Sequence, residues 1–438
     1  MKGWNAARIA AAAGAQLVRN APGGPARVII DSRAVGPSDL FVGLTGENVD
    51  GGRFAAAALE SGAWGVLVAP RWAGVEGGAV LVAEQPLLAM GALAREWRRS
   101  LGASVIAVTG SVGKTSTKDL ITALLAPVRR VVASRANFNT DIGMPPEILG
   151  ADPGTEVLVL EAAMRGFGEI ATLAAICEPD VAVITNIGPV HLEQVGSLEG
   201  VARAKAELLE GTRDGGVAVV PAGEPLLEPY LREGLEVVRF GAGGDVWLDG
   251  EVVVARGERL DLELPFRARH QRVNALAAVA AALAVGVRPS GRVDVPSGYL
   301  RGERIALPSG ATVINDCYNA SPLSVRAALD ELAAESPAGR RVAVLGDMLE
   351  LGAAEAELHR EVGTAAEAAG VDVLVTVGPR AAAMLDTFDG ESYAVADAEE
   401  AAALAGEIVA DGDVMLVKGS RGVGLEVVAE ALRAVPHG

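Results

Sequence analysis

Short apolar runs without polar alternation recur along the chain, separated by segments rich in Ala, Glu and Arg. The clearest runs are "SVIAVT" (104–109), "EVLVL" (156–160) and "DVAVIT" (180–185). A strand that is apolar at every position is typical of a parallel sheet covered on both faces. The pattern therefore predicts an α/β protein built on parallel sheets with helices between the strands.

The same alternation divides the chain into three predicted domains, for which 438 residues are sufficient. Residues 1–100 predict a small N-terminal α/β domain, with short strands such as "ARVII" and "GVLVA" between Gly- and Pro-rich turns. Residues 101–297 predict a central parallel-sheet domain. Residues 298–438 predict a C-terminal Rossmann-like domain, because "TVIN", "RVAVLG", "DVLVTVG" and "VMLVKGS" alternate with helical segments.

Composition excludes several classes of partner and location. The net charge of -18 disfavours nucleic acid and anionic membranes, which both reward basic surfaces. Two cysteines in so long a chain do not form a secreted disulfide framework and indicate a reducing compartment. The N-terminal 20 residues predict an amphipathic surface helix rather than a signal peptide. The longest apolar run, 275–287, is too short to cross a bilayer. We therefore expect a cytoplasmic protein without an integral membrane segment, and a monomer.

Lysine is scarce in this chain, since only five of the 38 basic residues are lysine. A general bias toward arginine explains the scarcity. Under such a bias, the remaining lysines are candidates for roles that a guanidinium cannot fill, such as a compact charge on a phosphate or chemistry at a neutral amine. Lys114, Lys118, Lys205 and Lys418 are the lysines beyond the N-terminus.

The stretch "VTGSVGKTST" (108–117) carries the strongest chemical signal. A strand runs into Gly110–Thr115 and then into a helical segment, which places backbone N–H groups and a helix N-terminus against an anion. The spacing predicts that Lys114 contacts the outer phosphates of a nucleotide and that the Thr115 hydroxyl binds magnesium. The alternative is an ordinary glycine turn with an unrelated lysine. Val108 stands where a full phosphate loop carries its first glycine.

Two further side chains follow neighbouring strands at their carboxyl ends. Glu161 ends "EVLVL", and His191 lies just past "DVAVIT". Ligands of parallel sheets gather at this edge, so we expect the phosphate loop, Glu161 and His191 to meet around magnesium. Taken singly, such a carboxylate is more often a solvated side chain, and such a histidine is more often a turn residue than a ligand.

Lys205 follows His191 by fourteen residues on a helical segment. A cationic lysine beside magnesium would repel the metal, so one interpretation is a surface lysine paired with Glu199 or Glu207. The other interpretation is that a neutral Lys205 amine captures CO₂, which converts a cation into a carbamate anion that can bind metal. The spacing does not decide between them.

Seven segments, in order, resemble the Mur ligases, and the resemblance spans nearly the whole chain. They are "TGSVGKTST", "NFNTDIGMP", "NIGPVHLEQVGSLEGVARAKAEL", "RHQRVNALAA", "INDCYNASPLS", "LGDMLELG" and "LVKGSRG". The family uses a shortened phosphate loop, so the resemblance implies that Val108 is no defect. It also implies an ATP- and Mg²⁺-dependent amide ligase that acts through an acyl phosphate in peptidoglycan precursor synthesis. Its implied substrates are UDP-N-acetylmuramoyl-tripeptide and D-alanyl-D-alanine.

The resemblance also assigns roles to individual residues. The implied ATP contacts are Thr109, Gly110, Ser111, Val112, Gly113, Lys114, Thr115 and Ser116, with Asn274, Arg304 and Asp316 at the adenosine. The implied ligands of the first magnesium are Thr115 and Glu161, and those of the second are His191 and carbamylated Lys205. The implied catalytic residues are Lys114, Glu161, His191 and Lys205. The implied substrate contacts are Ser32, Arg33 and Thr45 at the uridine nucleotide, and Asn137, Asn139 and Lys418 elsewhere.

Each of the less specific positions has a structural alternative. Asn274 could brace a helix, Arg304 could form a surface ion pair, and "NASP" before Pro322 could be a turn. "DSR" could be an Asx-type turn with Arg33 exposed.

The amino-acid sequence alone leaves rival functions open. The alternative within the family is a ligase that adds a single amino acid to a UDP-muramoyl peptide, although one such relative typically carries "DNPR", which this chain lacks. A phosphate-loop kinase or simple NTPase would need no separate amine site. A non-enzymatic regulator would be expected to lose Lys114, Glu161 or Lys205, and all three are present.

Overall fold

The computed structural model describes residues 1, 3–46, 49–135, 137–266, 268–294 and 302–434. The chain forms two compact units. The first comprises Met1–Asn186, Ala202–Leu264 and Asn274–Val293. The second comprises Ile187–Val201, Pro265–Val273 and Asp294–Gly438.

The N-terminal part of the first unit is built on a five-stranded sheet of order β1-β5-β4-β3-β2, parallel except for β1. Its elements are α1 (Ala6–Ala13), β1 (Gln16–Arg19), β2 (Arg27–Ile29), β3 (Asp39–Val42), α2 (Ala55–Glu60), β4 (Gly65–Val68), β5 (Ala79–Val82) and α3 (Pro86–Leu101). Helix α1 buries Ile9 and its alanine neighbours on one face, as an amphipathic helix does. The Asn5 side chain caps this helix by accepting from the Arg8 amide.

The rest of the first unit contains a nine-stranded sheet of order β14-β13-β12-β11-β10-β9-β6-β8-β7. Its strands are β6 (Ser104–Thr109), β7 (Val131–Ala133), β8 (Val157–Glu161), β9 (Val181–Ile184), β10 (Val217–Pro221), β11 (Glu236–Phe240), β12 (Val246–Asp249), β13 (Val252–Ala255) and β14 (Glu258–Arg259). The helices that follow these strands in the sequence are α4 (Lys114–Leu125), α5 (Met144–Leu149), α6 (Glu169–Cys177), α7 (Leu192–Val195), α8 (Leu198–Glu210) and α9 (Arg269–Ala284). Helix α7 and the first residues of α8 and α9 belong to the second unit. Two short strands, β15 (Leu262–Glu263) and β16 (Gly291–Arg292), pair in parallel.

Strands β9, β6 and β8 lie side by side in parallel, next to the edge strand β7, and are almost completely buried. Their carboxyl ends therefore share one edge, and the segments that follow them start at that edge. The three apolar runs "SVIAVT", "EVLVL" and "DVAVIT" correspond to these strands, which confirms the strand predictions.

The second unit is built on a six-stranded sheet of order β17-β18-β22-β19-β20-β21, parallel except for the edge strand β17. Its elements are β17 (Glu303–Ala306), β18 (Thr312–Asn315), α10 (Pro322–Ala334), β19 (Arg341–Gly346), α11 (Glu355–Ala368), β20 (Val373–Val377), β21 (Glu391–Val395), α12 (Ala398–Ile408), β22 (Val414–Lys418) and α13 (Glu426–Ala434). Separate hydrophobic clusters cover its two faces, as expected of a doubly wound sheet.

The predicted α/β class is confirmed, and separate five-, nine- and six-stranded sheets lie in the three predicted regions of the chain, with the predicted strands of the C-terminal region in place. The predicted boundary between 297 and 298 lies within 295–301, outside the described residues, and the domain boundaries stay predictions. Both cysteines are buried and unbridged. Within the described ranges, no helix combines the length and hydropathy that a bilayer crossing requires.

Candidate active site

The loop Gly110–Gly113 joins β6 to α4, and its backbone requires both glycines. Gly110 has φ +146°, and a Cβ there would overlap the Thr185 hydroxyl. Gly113 caps α4 with φ +81°, and a Cβ there would lie 2.7 Å from Asn274 Oδ1. Any L-residue with a side chain would be strained at both positions. The loop is thus pressed between the end of β9 and helix α9.

Residues at the end of β9 hold the loop in shape. The Asn186 side chain accepts from the Val112 amide (3.0 Å) and donates to the Val112 carbonyl (2.9 Å). The Thr185 hydroxyl also donates to the Val112 carbonyl (2.6 Å), and the Asn186 carbonyl accepts from the Ser111 amide (3.1 Å). Four hydrogen bonds thus fix two residues of a loop whose amides must face an anion.

Val108 is a strand residue and no part of the loop. It is fully buried in β6 and pairs in register with Glu161 of β8 and Val183 of β9. A glycine at this position would weaken the strand and leave a gap in the core. The strand therefore continues to Thr109, and the loop begins only at Gly110.

Lys114 is the first residue of α4 and folds back over the loop. Its ammonium donates to the Gly110 carbonyl at 2.8 Å and to the Ser111 carbonyl at 3.4 Å. The group is half-buried and lies at the mouth of the loop. This position suits a compact charge that contacts the outer phosphates of a nucleotide.

Thr115 and Glu161 meet at the carboxyl edge of the sheet, as the sequence predicts. The Thr115 hydroxyl donates to Glu161 Oε2 at 2.8 Å, and the Asn139 amide donates to Glu161 Oε1 at 2.9 Å. Both Thr115 and Glu161 are buried. Across the described residues, no group of three His, Cys, Asp or Glu side chains has the arrangement of a metal site. One carboxylate and one hydroxyl nevertheless fit Mg²⁺ in a nucleotide site, where substrate phosphates and water supply the other ligands.

Lys205 lies on α8 in the first unit and is 2% exposed. Burial, and secondarily the positive charge of Lys114, holds the pKa of its ammonium well below the ordinary value. The interpretation as a surface lysine is therefore wrong. Glu207, its suggested partner, instead accepts from the amides of Gly168 (2.7 Å) and Ala171 (3.0 Å) at the start of α6.

His191 lies in the second unit, where it contacts a residue that the sequence analysis did not single out. Its Nδ1 is 2.5 Å from Glu350 Oε2. Both residues have left-handed backbones, with φ +53° and +63°. Such strain in residues other than glycine is common at functional sites. Glu350 belongs to the segment "LGDMLELG", so its motif was visible, but its contact with a residue 159 positions away was not.

Three domain families match this sequence. The match to "Mur ligase middle domain" covers residues 108–282, and the match to "Mur ligase, glutamate ligase domain" covers 300–421. The "Mur ligase family, catalytic domain" matches residues 26–72. The chain is 35% identical over 430 residues to the UDP-N-acetylmuramoyl-tripeptide--D-alanyl-D-alanine ligase of Bacillus subtilis, with 93% of each chain covered. The chain belongs to the Mur ligase family.

Other relatives and solved structures agree. The Escherichia coli ligase of the same name is 34% identical over 426 residues, with 93% of each chain covered. A structure of MurF from Acinetobacter baumannii superimposes with a TM-score of 0.89 at 29% identity, covering 99% of both chains. The MurF ligase of Thermotoga maritima, solved in complex with ADP, gives 0.81 at 29% identity and covers 93% of this chain and 97% of its own.

In the N-terminal part of this Mur ligase, the predicted uridine residues fall in two separate turns. Ser32 and Arg33 lie in a short helical turn after Asp31, and Arg33 is exposed and pairs with Asp31 at 2.8 Å. The hydrogen bond from the Arg33 side chain lowers the pKa of Asp31 to about 2. This is the Asx-type turn that the sequence left open, and a role for Arg33 at the nucleotide stays a prediction.

Thr45 forms an isolated β-bridge with Asp50. The Asp50 carboxylate accepts from Arg71 (2.6 Å) and from the Trp72 indole (2.8 Å), and Arg71 also donates to the Thr45 hydroxyl (3.4 Å). A Cβ at Gly52 would overlap the Trp72 ring. The sequence analysis missed Arg71 and Trp72, since neither lies in a segment that it quoted.

The predicted adenosine residues are divided between the two units. Asn274, in the first unit, is buried and lies against Gly113 of the phosphate loop. Arg304, in the second unit, forms the surface ion pairs that the sequence left open, with Glu331 (3.1 Å) and Glu335 (2.6 Å).

The buried Lys418 pairs with the half-buried Asp316 in the second unit. The Lys418 ammonium is 3% exposed and donates to Asp316 Oδ2 at 2.6 Å and to the Asn319 carbonyl at 2.9 Å. It therefore ties the end of β22 to the turn before α10, which begins at Pro322 with Ser321 as its cap. The predicted start of a helix at Pro322 is confirmed, and contact of Lys418 with a substrate stays a prediction.

The remaining predicted residues lie near the phosphate loop or in the loop between β7 and α5. Asn137 is exposed in a turn of the loop between β7 and α5, and Asn139 of the same loop holds Glu161. Ser116 is half-buried on the first turn of α4, and Thr109 is buried at the end of β6. The structure of the first unit thus brings Lys114, Thr115 and Glu161 together.

Proposed function

We propose that this Mur ligase joins D-alanyl-D-alanine to UDP-N-acetylmuramoyl-tripeptide and converts ATP to ADP and phosphate. The supporting observation is the Thr115–Glu161 pair, set in a phosphate loop, in a chain 35% identical over its length to ligases with that name. The acidic chain and its two unbridged thiols support the cytoplasm as its location.

The need for ATP follows from the chemistry of the carboxyl group. A carboxylate is a poor electrophile at neutral pH, so its oxygen first attacks the γ-phosphorus of ATP and ADP leaves. The acyl phosphate that results has a good leaving group. The amine of the dipeptide then attacks the carbonyl carbon, loses a proton and expels phosphate. Holding three reactants together lowers the barrier by proximity.

The phosphoryl transfer requires positive charge around the moving group. Lys114 would contact the β- and γ-phosphates, while the loop amides of Gly110–Gly113 bind the phosphate oxygens. Thr115 and Glu161 would hold Mg²⁺, which neutralises charge on the phosphates when bound. Asn139 keeps the carboxylate in place by its bond to Oε1.

Lys205 is proposed to act as a carbamate. Its depressed pKa favours the neutral amine, whose lone pair can attack CO₂ and release a proton. The product is an anion that, together with His191, would hold a second Mg²⁺. Glu350 would orient His191 through Nδ1.

The substrate contacts are proposed from the family resemblance. Ser32, Arg33 and Thr45 would bind the uridine nucleotide, and Asn274, Arg304 and Asp316 the adenosine. Asn137, Asn139 and Lys418 would contact the peptide substrates.

Phosphate release measured with each component omitted tests the proposal. We expect release only when ATP, Mg²⁺, the UDP-muramoyl tripeptide and D-alanyl-D-alanine are all present. Lys114→Ala serves as the inactive control. Brisk release without the dipeptide would contradict the proposal, and so would turnover with a single amino acid in place of the dipeptide.

A further inference from the structure

A buried lysine one helical turn beyond the phosphate loop has no role in the mechanism above. Lys118 lies on α4, three residues after Thr115, and is 5% exposed. Its ammonium donates to the Ser134 carbonyl at 2.7 Å and pairs with Asp119 at 2.9 Å. Burying a charge is costly unless specific bonds compensate, so the position calls for an explanation.

The residue that Lys118 holds is in contact with Glu161. Ser134 follows β7 and is 2% exposed. Its hydroxyl accepts from the Glu161 amide at 3.1 Å, and its own amide donates to the Val159 carbonyl at 3.0 Å. Ser134 therefore holds the backbone of Glu161 in place, and Lys118 holds Ser134 in place.

Helix α4 consequently holds Glu161 in two ways, one direct and one through Ser134. Thr115 contacts the carboxylate directly, at 2.8 Å from Oε2. Lys118, on the same side of the helix, reaches the Glu161 amide through Ser134. Because both contacts come from one rigid helix, the distance between the phosphate loop and the carboxylate is set before any ligand binds. Partners behind a metal-binding side chain commonly set metal affinity in this way.

We propose that Lys118 is a positioning residue for the magnesium pair Thr115–Glu161, acting through Ser134. The inference rests on the proposed use of MgATP. An ammonium suits the position, since it is compact and its three donors can serve the Ser134 carbonyl and Asp119 together. A guanidinium would need more space than a site that is almost fully buried offers.

The test measures ADP binding by calorimetry in EDTA and in saturating Mg²⁺, so no catalysis is involved. In Lys118→Met, we expect the magnesium-dependent gain in ADP affinity to fall about tenfold or more. ADP affinity in EDTA should stay at the wild-type value, because the loop itself is intact. A merely structural role would weaken both affinities together.

Variants of Ser134 and Asp119 distinguish an effect that passes through Ser134 from a general loss of structure. Ser134→Ala, which removes the acceptor for the Glu161 amide, should reproduce the loss, while Ser134→Thr retains the hydroxyl and should restore the gain. Asp119→Ala removes the other partner of Lys118 and should leave the magnesium-dependent gain in ADP affinity unchanged. Lys118→Met should add little to Ser134→Ala, since Lys118 acts on Glu161 only through Ser134.

If Lys118→Met does not fold, the comparison of Ser134→Ala with Ser134→Thr decides the question alone. If Lys118→Met and Ser134→Ala both keep the wild-type magnesium-dependent gain in ADP affinity, the inference is wrong. It is also wrong if Lys118→Met weakens ADP binding equally in EDTA and in Mg²⁺. A wild-type protein whose ADP affinity ignores Mg²⁺ overturns the proposed function together with this inference, so the two failures are distinguishable.

Discussion

Replacing Asn186 by alanine should loosen the phosphate loop. The asparagine side chain makes two hydrogen bonds to the backbone of Val112, one as acceptor at 3.0 Å and one as donor at 2.9 Å. Alanine removes both bonds. The bond from the Ser111 amide to the carbonyl of residue 186 stays, as does the bond from the Thr185 hydroxyl.

The size of the effect follows from these bonds. A hydrogen bond between neutral groups contributes about 1 kcal/mol net, so two bonds contribute about 2 kcal/mol to the ordered loop. If the unliganded loop relaxes without them, nucleotide binding must restore its order at that cost. Since about 1.4 kcal/mol corresponds to tenfold in affinity, ADP should bind about 30-fold more weakly.

Calorimetric titration with MgADP measures the loss, and thermal unfolding reports whether the fold persists. Thr185→Ser is the matched control, since it retains the hydroxyl that bonds the same Val112 carbonyl. We expect this control to bind ADP with nearly wild-type affinity. An Asn186→Ala protein that is folded and binds MgADP as tightly as wild type would refute the claim that these bonds preorganise the loop.

Three further predictions concern the same machinery. Gly113→Ala should abolish measurable ADP binding in calorimetry, because φ +81° and a Cβ only 2.7 Å from Asn274 Oδ1 force the loop to move; retained affinity would contradict the tight fit. Lys205→Ala should lose phosphate release and regain part of it with formate or acetate but not with chloride, and full activity without rescue would exclude the carbamate. Glu350→Ala should lower kcat about tenfold with ADP affinity unchanged, because His191 loses its Nδ1 partner, and an unchanged kcat would argue against this role.

The pattern along the chain was sufficient to predict the sheets and the meeting of the phosphate loop with Glu161. Strands β6, β8 and β9 are apolar at nearly every position, which is typical of parallel strands buried on both faces of the sheet. Because the carboxyl ends of such strands share an edge, the contact between Thr115 and Glu161 follows from topology alone.

The helical pattern around Lys205 is also sufficient to predict that this lysine is buried. Val201, Leu208 and Leu209 lie at helical spacing around Lys205, and all are buried on α8. The position of Lys205 on the apolar face of a helix indicates burial more strongly than its spacing from His191 does.

The supporting contacts could not be predicted in this way. Asn186, Ser134 and Glu350 act through bonds whose partners are fixed only by the three-dimensional fold. Polar residues near strand ends are common, and neither periodicity nor spacing says which of them brace a loop. Asn139 shows the same limit, because the resemblance suggested a substrate contact while its amide bonds Glu161.

A crystal structure of the protein with ADP and Mn²⁺, with anomalous data at the manganese edge, tests the central claim most directly. The account predicts a metal peak that contacts the Thr115 hydroxyl, the Glu161 carboxylate and a phosphate oxygen of ADP. A metal bound to ADP with Glu161 outside its coordination shell would contradict it.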